Sequence, residues 1–211
     1  MSDSLWAVVL AGGVGSRFWP LSTPARPKQL LPLADDRPLL VATLQRMSTL
    51  VPPERTLILT NASLVEPIST AVPGIVRENI VPEPRPAGTA SSLAYAAAEL
   101  GRRTGGETAM VCVHADWAIG NEHEYRATLS RAVKVAQTQH GLVTVGIVPT
   151  RPDPGFGYIQ PGEATQSPDA RRVRRFIEKP TRERAAVLCA HSCLWNSGIF
   201  VWRVGDFLDE I

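Results

Sequence analysis

The stretch from residue 5 to residue 33, LWAVVLAGGVGSRFWPLSTPARPKQLLPL, constrains this chain more than any other. It opens on an apolar run, Leu5–Leu10, whose length and β-branched content predict a buried strand. The run breaks into Ala11-Gly12-Gly13-Val14-Gly15, followed by Ser16 and Arg17, with Lys28 further on. Three glycines directly after a strand let the backbone take positive φ and come close to a ligand. Unpaired N–H groups in such a turn form a concave anion nest, and two cations beside it suit a polyphosphate. A Gly-rich turn after a strand is also, by itself, an ordinary turn. Two standard alternatives fail. Gly13-Val14-Gly15-Ser16-Arg17-Phe18 lacks the third glycine of G-x-G-x-x-G, and no Gly-Lys-Ser/Thr follows as in the phosphate loop of ATPases.

The remaining pattern is an alternation. Helices are predicted over residues 38–50, 88–100 (stopping at Gly101) and from Asn121, where Glu124 completes a near capping box. The core face of this last helix is Tyr125, Leu129, Ala132, Val133 and Ala136, and residues 62–71 are weakly helical. Between the helices lie apolar strands at residues 56–60, 75–81, 109–113 and 142–148. Strand and helix alternate through about residue 150, which argues for parallel strands with helices on both faces. Such sheets bind ligands beyond the carboxyl ends of their strands, where the glycine loop lies. After residue 150 the rhythm changes. Prolines and glycines surround a short strand at residues 158–160, and strands at 173–178 and 194–204 flank a helix at 181–190. This half reads as a strand-rich insertion over the mouth of the sheet.

The 211 residues suit one α/β domain with a full core. A net charge of +2 gives no reason to expect nucleic acid or an anionic membrane as partner. The one dense basic run, residues 171–175, reads as a solvated strand face, with phosphate attraction as the alternative. Three cysteines, Cys112, Cys189 and Cys193, show no disulfide framework or zinc spacing. With no basic-then-apolar leader and no bilayer-length apolar run, a reducing cytoplasm is the expected home. The histidines, His114, His123, His140 and His191, share no ligand-like spacing and are read as structural or surface residues.

Leu10-Ala11-Gly12-Gly13-Val14-Gly15-Ser16-Arg17 with Pro27-Lys28 resembles the opening signature of the sugar-nucleotide pyrophosphorylases, L-A-G-G-x-G-x-R followed by P-K. These nucleotidyltransferases join a sugar 1-phosphate to a nucleoside triphosphate. Phe18-Trp19-Pro20-Leu21-Ser22 and Pro27-Lys28-Gln29 are most similar to the mannose-1-phosphate guanylyltransferase branch. Further segments resemble the family in the right order as far as Trp202. The resemblance implies a Rossmann-like, three-layer α/β/α (glycosyltransferase-A-like) domain with a mixed, mostly parallel sheet. Its nucleotide half would span about residues 1–150 and its sugar-phosphate half about 151–211.

Site residues follow from the same resemblance. Asp116, in Val113-His114-Ala115-Asp116-Trp117, stands where the family's P-A-D-H carries the carboxylate for Mg²⁺, although His114 and Trp117 depart from that pattern. A lone Asp at a strand end is otherwise a common turn cap. Glu83-Pro84 matches the E-P of the base-binding segment, and one carboxylate can accept both the N1–H and the amine of guanine. The plain alternative is a solvated loop glutamate. The family continues R-N-T-A where this chain has Ala87-Gly88-Thr89-Ala90. Gly155-Phe156-Gly157-Tyr158-Ile159, Phe176-Ile177-Glu178-Lys179-Pro180 and Trp195-Asn196-Ser197-Gly198-Ile199-Phe200 resemble the sugar-phosphate segments. The implied assignment is therefore threefold. Arg17, Lys28 and Asp116 are catalytic, with Asp116 also the metal ligand. Leu10, Ala11, Gly12, Gly13, Gly15, Ser16, Arg17, Glu83, Gly88 and Thr89 bind the nucleotide. Gly157, Tyr158, Glu178, Lys179 and Asn196 bind the sugar phosphate.

The implied reaction is Mg²⁺-dependent transfer of GMP from GTP to mannose 1-phosphate, with homo-oligomerisation left open. The alternatives are another hexose 1-phosphate, or a nucleotide-sugar-binding relative without turnover. The family supplies a second metal-binding Asp after the W-N-S-G-I-F strand, so the resemblance implies a sequence continuing past Ile211. Asp206 and Asp209 lie too close to that strand for the role.

Overall fold

In the computed structural model, which describes every residue except 1–4, 14, 16, 17, 24 and 25, the apolar runs become the centre of a sheet. Strands β1 (Leu5–Leu10), β2 (Thr56–Thr60), β3 (Ile80–Pro82) and β4 (Ala109–His114) pair in parallel in the order β3-β2-β1-β4. Their near-continuous burial is what a parallel sheet covered on both faces requires.

The covering layers follow from the period-two alternation of side chains along each strand. Ala7, Val9, Val111 and Val113 meet the apolar faces of α1 (Leu39–Met47), α2 (Val65–Ala71) and α4 (Glu122–Gln139). Val8, Leu57, Met110 and Cys112 face the other way, onto α3 (Thr89–Thr104) and α6 (Val204–Leu208). Asn121 caps α4 by accepting from the Glu124 N–H at 3.0 Å, as its sequence predicts.

Beyond β4 every pairing is antiparallel. The long strand β8 (Leu194–Arg203) lies between β4 on one edge and β5 (Val143–Ile147) on the other. Strand β6 (Tyr158–Ala164) pairs with the start of β8 and with β7 (Arg171–Ile177). Helix α5 (Arg182–Ala190), capped by Thr181, closes a separate cluster of Tyr158, Ile177, Leu188 and Trp195. The arginines of β7 are exposed, as a solvated strand face requires. All three cysteines are free thiols, and among the described residues no helix is long and apolar enough to cross a membrane.

Several boundaries move. The strand expected over residues 75–81 shrinks to β3, because residues 77–79 form a 3-10 turn whose buried Asn79 donates to the Glu54 carbonyl at 3.1 Å. The strand expected at 158–160 extends to Ala164, carried by its pairing with β7. Helix α3 does not stop at Gly101. It runs on to Thr104 and ends at Gly105, whose φ of 85° suits a glycine. Gly101 serves packing instead: a Cβ there would lie 3.3 Å from Val204 Cγ1 and 3.6 Å from Leu208 Cδ1.

Gly101→Val is therefore expected to force α6 away from α3 and cost about 1–3 kcal/mol, the usual range for overpacking. Gly101→Ala should stay within about 1 kcal/mol of wild type, since the better helix former offsets its tight contact. Chemical denaturation of the three proteins checks this; equal stability for Val and Gly would show that the α3–α6 contact does not hold.

Candidate active site

The site is assembled at the carboxyl ends of the four parallel strands, each of which delivers one segment. Past β1 comes the glycine loop, past β2 Asn61, past β3 Glu83, and past β4 Ala115 and Asp116. Backbone bonds carry the ladder one residue beyond the strands: Ala11 N–H to Leu59 O at 2.8 Å, Glu83 N–H to Thr60 O at 2.8 Å, and Ala115 N–H to Leu10 O at 3.1 Å. These bonds fix where the site residues begin.

The glycine loop is held by its carbonyls. Gln29, 1% exposed, donates its amide to Ala11 O and, at 2.9 Å, to Gly13 O. Thr60 Oγ1 donates to Ala11 O at 3.1 Å, and Asn61 Nδ2 donates to Gly12 O at 2.6 Å. The N–H groups of Gly12 and Gly13 carry no hydrogen bond among the described residues. With the acceptors occupied and these donors open, the loop presents an anion-binding surface. Gly15 takes φ 70°, and a Cβ there would stand 2.5 Å from Ser22 Oγ.

Lys28 Nζ forms an ion pair with Asp116 Oδ2, both side chains mostly buried, and lies 5.9 Å from the centre of the Phe18 ring. His114 is half-buried beside them. Burial pushes its pKa below the ordinary value, with Lys28 acting in the same direction against the pull of Asp116, so the ring is neutral at pH 7. Its Nε2 would stand 2.7 Å from a Cβ on Gly198, the positive-φ glycine of β8. His114, read from the sequence as a structural or surface residue, lines the same cavity as Lys28 and Asp116. His123, His140 and His191 are exposed.

That cavity is bounded by the glycine loop, Glu83, residues 86–89, Ser92, His114 and Asp116. Glu83 is clamped in its wall. Its Oε1 accepts from the Ser92 hydroxyl, and its Oε2 lies 2.5 Å from where a Gly12 Cβ would be. Gly88 and Thr89, at the start of α3, complete the rim.

A second cavity opens on the other side of Asp116, lined also by Trp117, Ile147, Phe156, Trp195 and Asn196. Phe156 and Trp195 pack with ring centres 4.6 Å apart, and the Arg151 guanidinium lies 5.5 Å from the Trp195 ring. Next to it, a Cβ on Gly157 would come within 2.9 Å of Glu178 Oε2 and 3.6 Å of Asn196 Cβ, so these three expected residues converge. Lys179 Nζ, exposed, is 3.2 Å from Glu178 Oε1. Asn196 Oδ1 accepts from Gly198 N–H at 3.1 Å, which turns the amide nitrogen to other work.

Tyr158 requires a correction. Its ring is fully buried, and its hydroxyl donates to Asp153 O at 3.1 Å and accepts from Asp153 N–H at 3.0 Å. Its side chain is core rather than substrate contact. Ser16 and Arg17 lie outside the described residues. Gln29, Asn61, Thr60 and Ser92 were missed as site residues, because each acts on a partner remote in sequence. Asp206, as expected, takes no part; it faces Arg203 and His140, each at 3.5 Å.

A divalent cation can be tested against these donors. Mg²⁺ keeps several waters and is commonly bound by one or two carboxylates plus substrate phosphates. Asp116 Oδ1 has no hydrogen bond among the described residues and stands where the two cavities meet. A single carboxylate so placed fits such an ion. Among the described residues no group of three or more His, Cys, Asp or Glu exists to form an all-protein metal cage.

Comparison with known proteins agrees with this geometry. Residues 6–210 match the family model described as nucleotidyl transferase. The mannose-1-phosphate guanylyltransferase of Escherichia coli strain K12 is 36% identical over 216 residues, covering 99% of this chain and 45% of its own length. The mannose-1-phosphate guanylyltransferase ManC of Salmonella typhimurium is 37% identical over 214 residues, covering 98% of this chain and 44% of its own. A crystal structure from Thermus thermophilus, described as a mannose-1-phosphate geranyltransferase, superposes with a TM-score of 0.87 at 32% identity over 96% of this chain and 58% of that one. The chain thus spans under half the length of the curated relatives it matches. A glycine loop pinned at the switch point of a mixed sheet, matched over almost every residue, leads to one conclusion: the chain belongs to the nucleotidyl transferase family.

Proposed function

We propose that this chain carries the catalytic centre for transfer of GMP from GTP to mannose 1-phosphate, with release of pyrophosphate. The observation that carries the reading is the position of Asp116, which lines both cavities and so marks where two substrates would meet. The names of the relatives support the choice of guanine and mannose.

A sugar 1-phosphate has a second pKa of about 6 and is mostly dianionic at neutral pH, so it is a nucleophile without a general base. One of its oxygens attacks the α-phosphorus of GTP, the bond from that phosphorus to the bridging oxygen breaks, and the electron pair leaves with pyrophosphate. The chain's task is to hold two anions together and in line, and to offset their repulsion. The open N–H groups of Gly12 and Gly13 and the Lys28 ammonium face the triphosphate. Glu83 reads the base, while Gly157, Glu178 and Asn196 hold the hexose and Lys179 its phosphate. Arg17 adds charge from the loop. Asp116 would hold Mg²⁺, which when bound supplies further neutralisation of the phosphate oxygens.

Asp116→Asn is expected to abolish pyrophosphate release from GTP and mannose 1-phosphate while leaving the circular dichroism spectrum unchanged. A well-folded variant with near-normal rate would make Asp116 a turn cap and remove the metal role. Glu83→Gln should lower kcat/KM for GTP by roughly 30- to 150-fold, from the loss of about 2–3 kcal/mol when a charge-assisted bond is lost and a donor is left unpaired. Steady-state rates with GTP, ATP and dTTP read this out. The ATP and dTTP values should barely change, and a uniform fall across all three would take Glu83 out of base recognition.

A further inference from the structure

We infer that Ser92 is a positioning residue for Glu83 and so a determinant of base specificity; this rests on the guanine reading above. Ser92 belongs to the first turns of α3 and is half-buried in the wall of the nucleotide-side cavity. Nothing in its local sequence marks it, since it follows Ser91 in a run of small residues.

Its hydroxyl has one proton and two acceptors within reach: Glu83 Oε1, and the Gly88 carbonyl at 3.1 Å. The Gly88 carbonyl already accepts the Ser92 backbone N–H at 3.1 Å. A carboxylate is also the stronger acceptor, because the bond to it is charge-assisted. The proton therefore belongs to Glu83. This contact fixes one oxygen of the carboxylate. The other oxygen stands beside Gly12, 2.5 Å from where a Cβ on that glycine would be, and the backbone of Glu83 is tied to Thr60 O at 2.8 Å.

The consequence lies in preorganisation. A glutamate has three side-chain torsions, and reading two adjacent donors of a base requires both carboxylate oxygens in one plane and at one place. Each oxygen has two lone pairs, so the bond from Ser92 leaves Oε1 able to accept from a base as well. Without the Ser92 hydroxyl the carboxylate samples several rotamers and must be immobilised when nucleotide binds. Immobilising one such side chain weakens binding by about three- to tenfold. Only a base that Glu83 reads would show this loss. Ser92→Ala should not harm the helix, as alanine is the better helix former.

The test is calorimetric titration of GTP and of ATP into the wild-type chain, Ser92→Ala, Ser92→Thr, Glu83→Gln and the Glu83→Gln/Ser92→Ala double variant. Ser92→Ala should weaken GTP about three- to tenfold and leave ATP unchanged, while Ser92→Thr, which keeps the hydroxyl, holds the wild-type ratio. In the Glu83→Gln background, Ser92→Ala should add no further loss, because the group it positions is gone. Equal weakening of GTP and ATP, an unchanged GTP affinity, or full additivity with Glu83→Gln would each overturn the role of Ser92. A wild-type chain that binds both nucleotides equally would instead overturn the guanine reading itself, and this is visible before any variant is made.

Discussion

The architecture of the site depends on how the carbonyl oxygens behind the glycine loop are satisfied. A loop of small residues at a strand end has no side chains to hold it, so its shape must be imposed from outside. Gln29, Thr60 and Asn61 do this by donating to the carbonyls of Ala11, Gly12 and Gly13. Each of these donors is itself fixed: Gln29 by near-complete burial, Thr60 by its place at the end of β2, Asn61 by following it. Peptide units have one donor and one acceptor, and once the acceptors face the protein the donors are available for an anion. The buried Gln29 Oε1 has no partner among the described residues, which marks the site as one where polar satisfaction yields to loop placement.

The sheet then decides what stands opposite the loop. A purely parallel sheet would leave the far side of β4 to another crossover helix and strand. Here β8 enters antiparallel, so its beginning, not its end, lies at the carboxyl end of β4. That reversal brings Asn196 and Gly198 beside His114 and Asp116, although about eighty residues separate them in the chain. Positive φ at Gly198 lets β8 pass close to the His114 ring. Two cavities sharing Asp116 are the direct result of one strand running backwards.

Much of this was legible beforehand because its causes are local. The apolar run of residues 5–10 and the Asn121 cap are written in neighbouring residues, and the structure repeats them. Glu83, Gly88, Thr89 and Asp116, each singled out in the sequence, line one cavity. The failures share a cause too. Gly101 looked like a helix stop because glycine ends helices by conformation, yet here it permits the approach of Val204 from α6, far along the chain. Tyr158 sat in a motif that approaches a sugar, but strand alternation turns Gly157 toward the site and Tyr158 into the cluster beneath it.

By itself, then, the sequence determined the order of strands and helices, the conformationally permissive loop and the residue types able to bind phosphate and metal, since periodicity and turn chemistry act over a few residues. Only the tertiary structure decided that Ser92 meets Glu83, that Gln29 reaches Ala11 and that His114 joins Lys28 and Asp116. Those meetings depend on strand order and direction, which are set by how whole faces bury against each other rather than by any short stretch of chain.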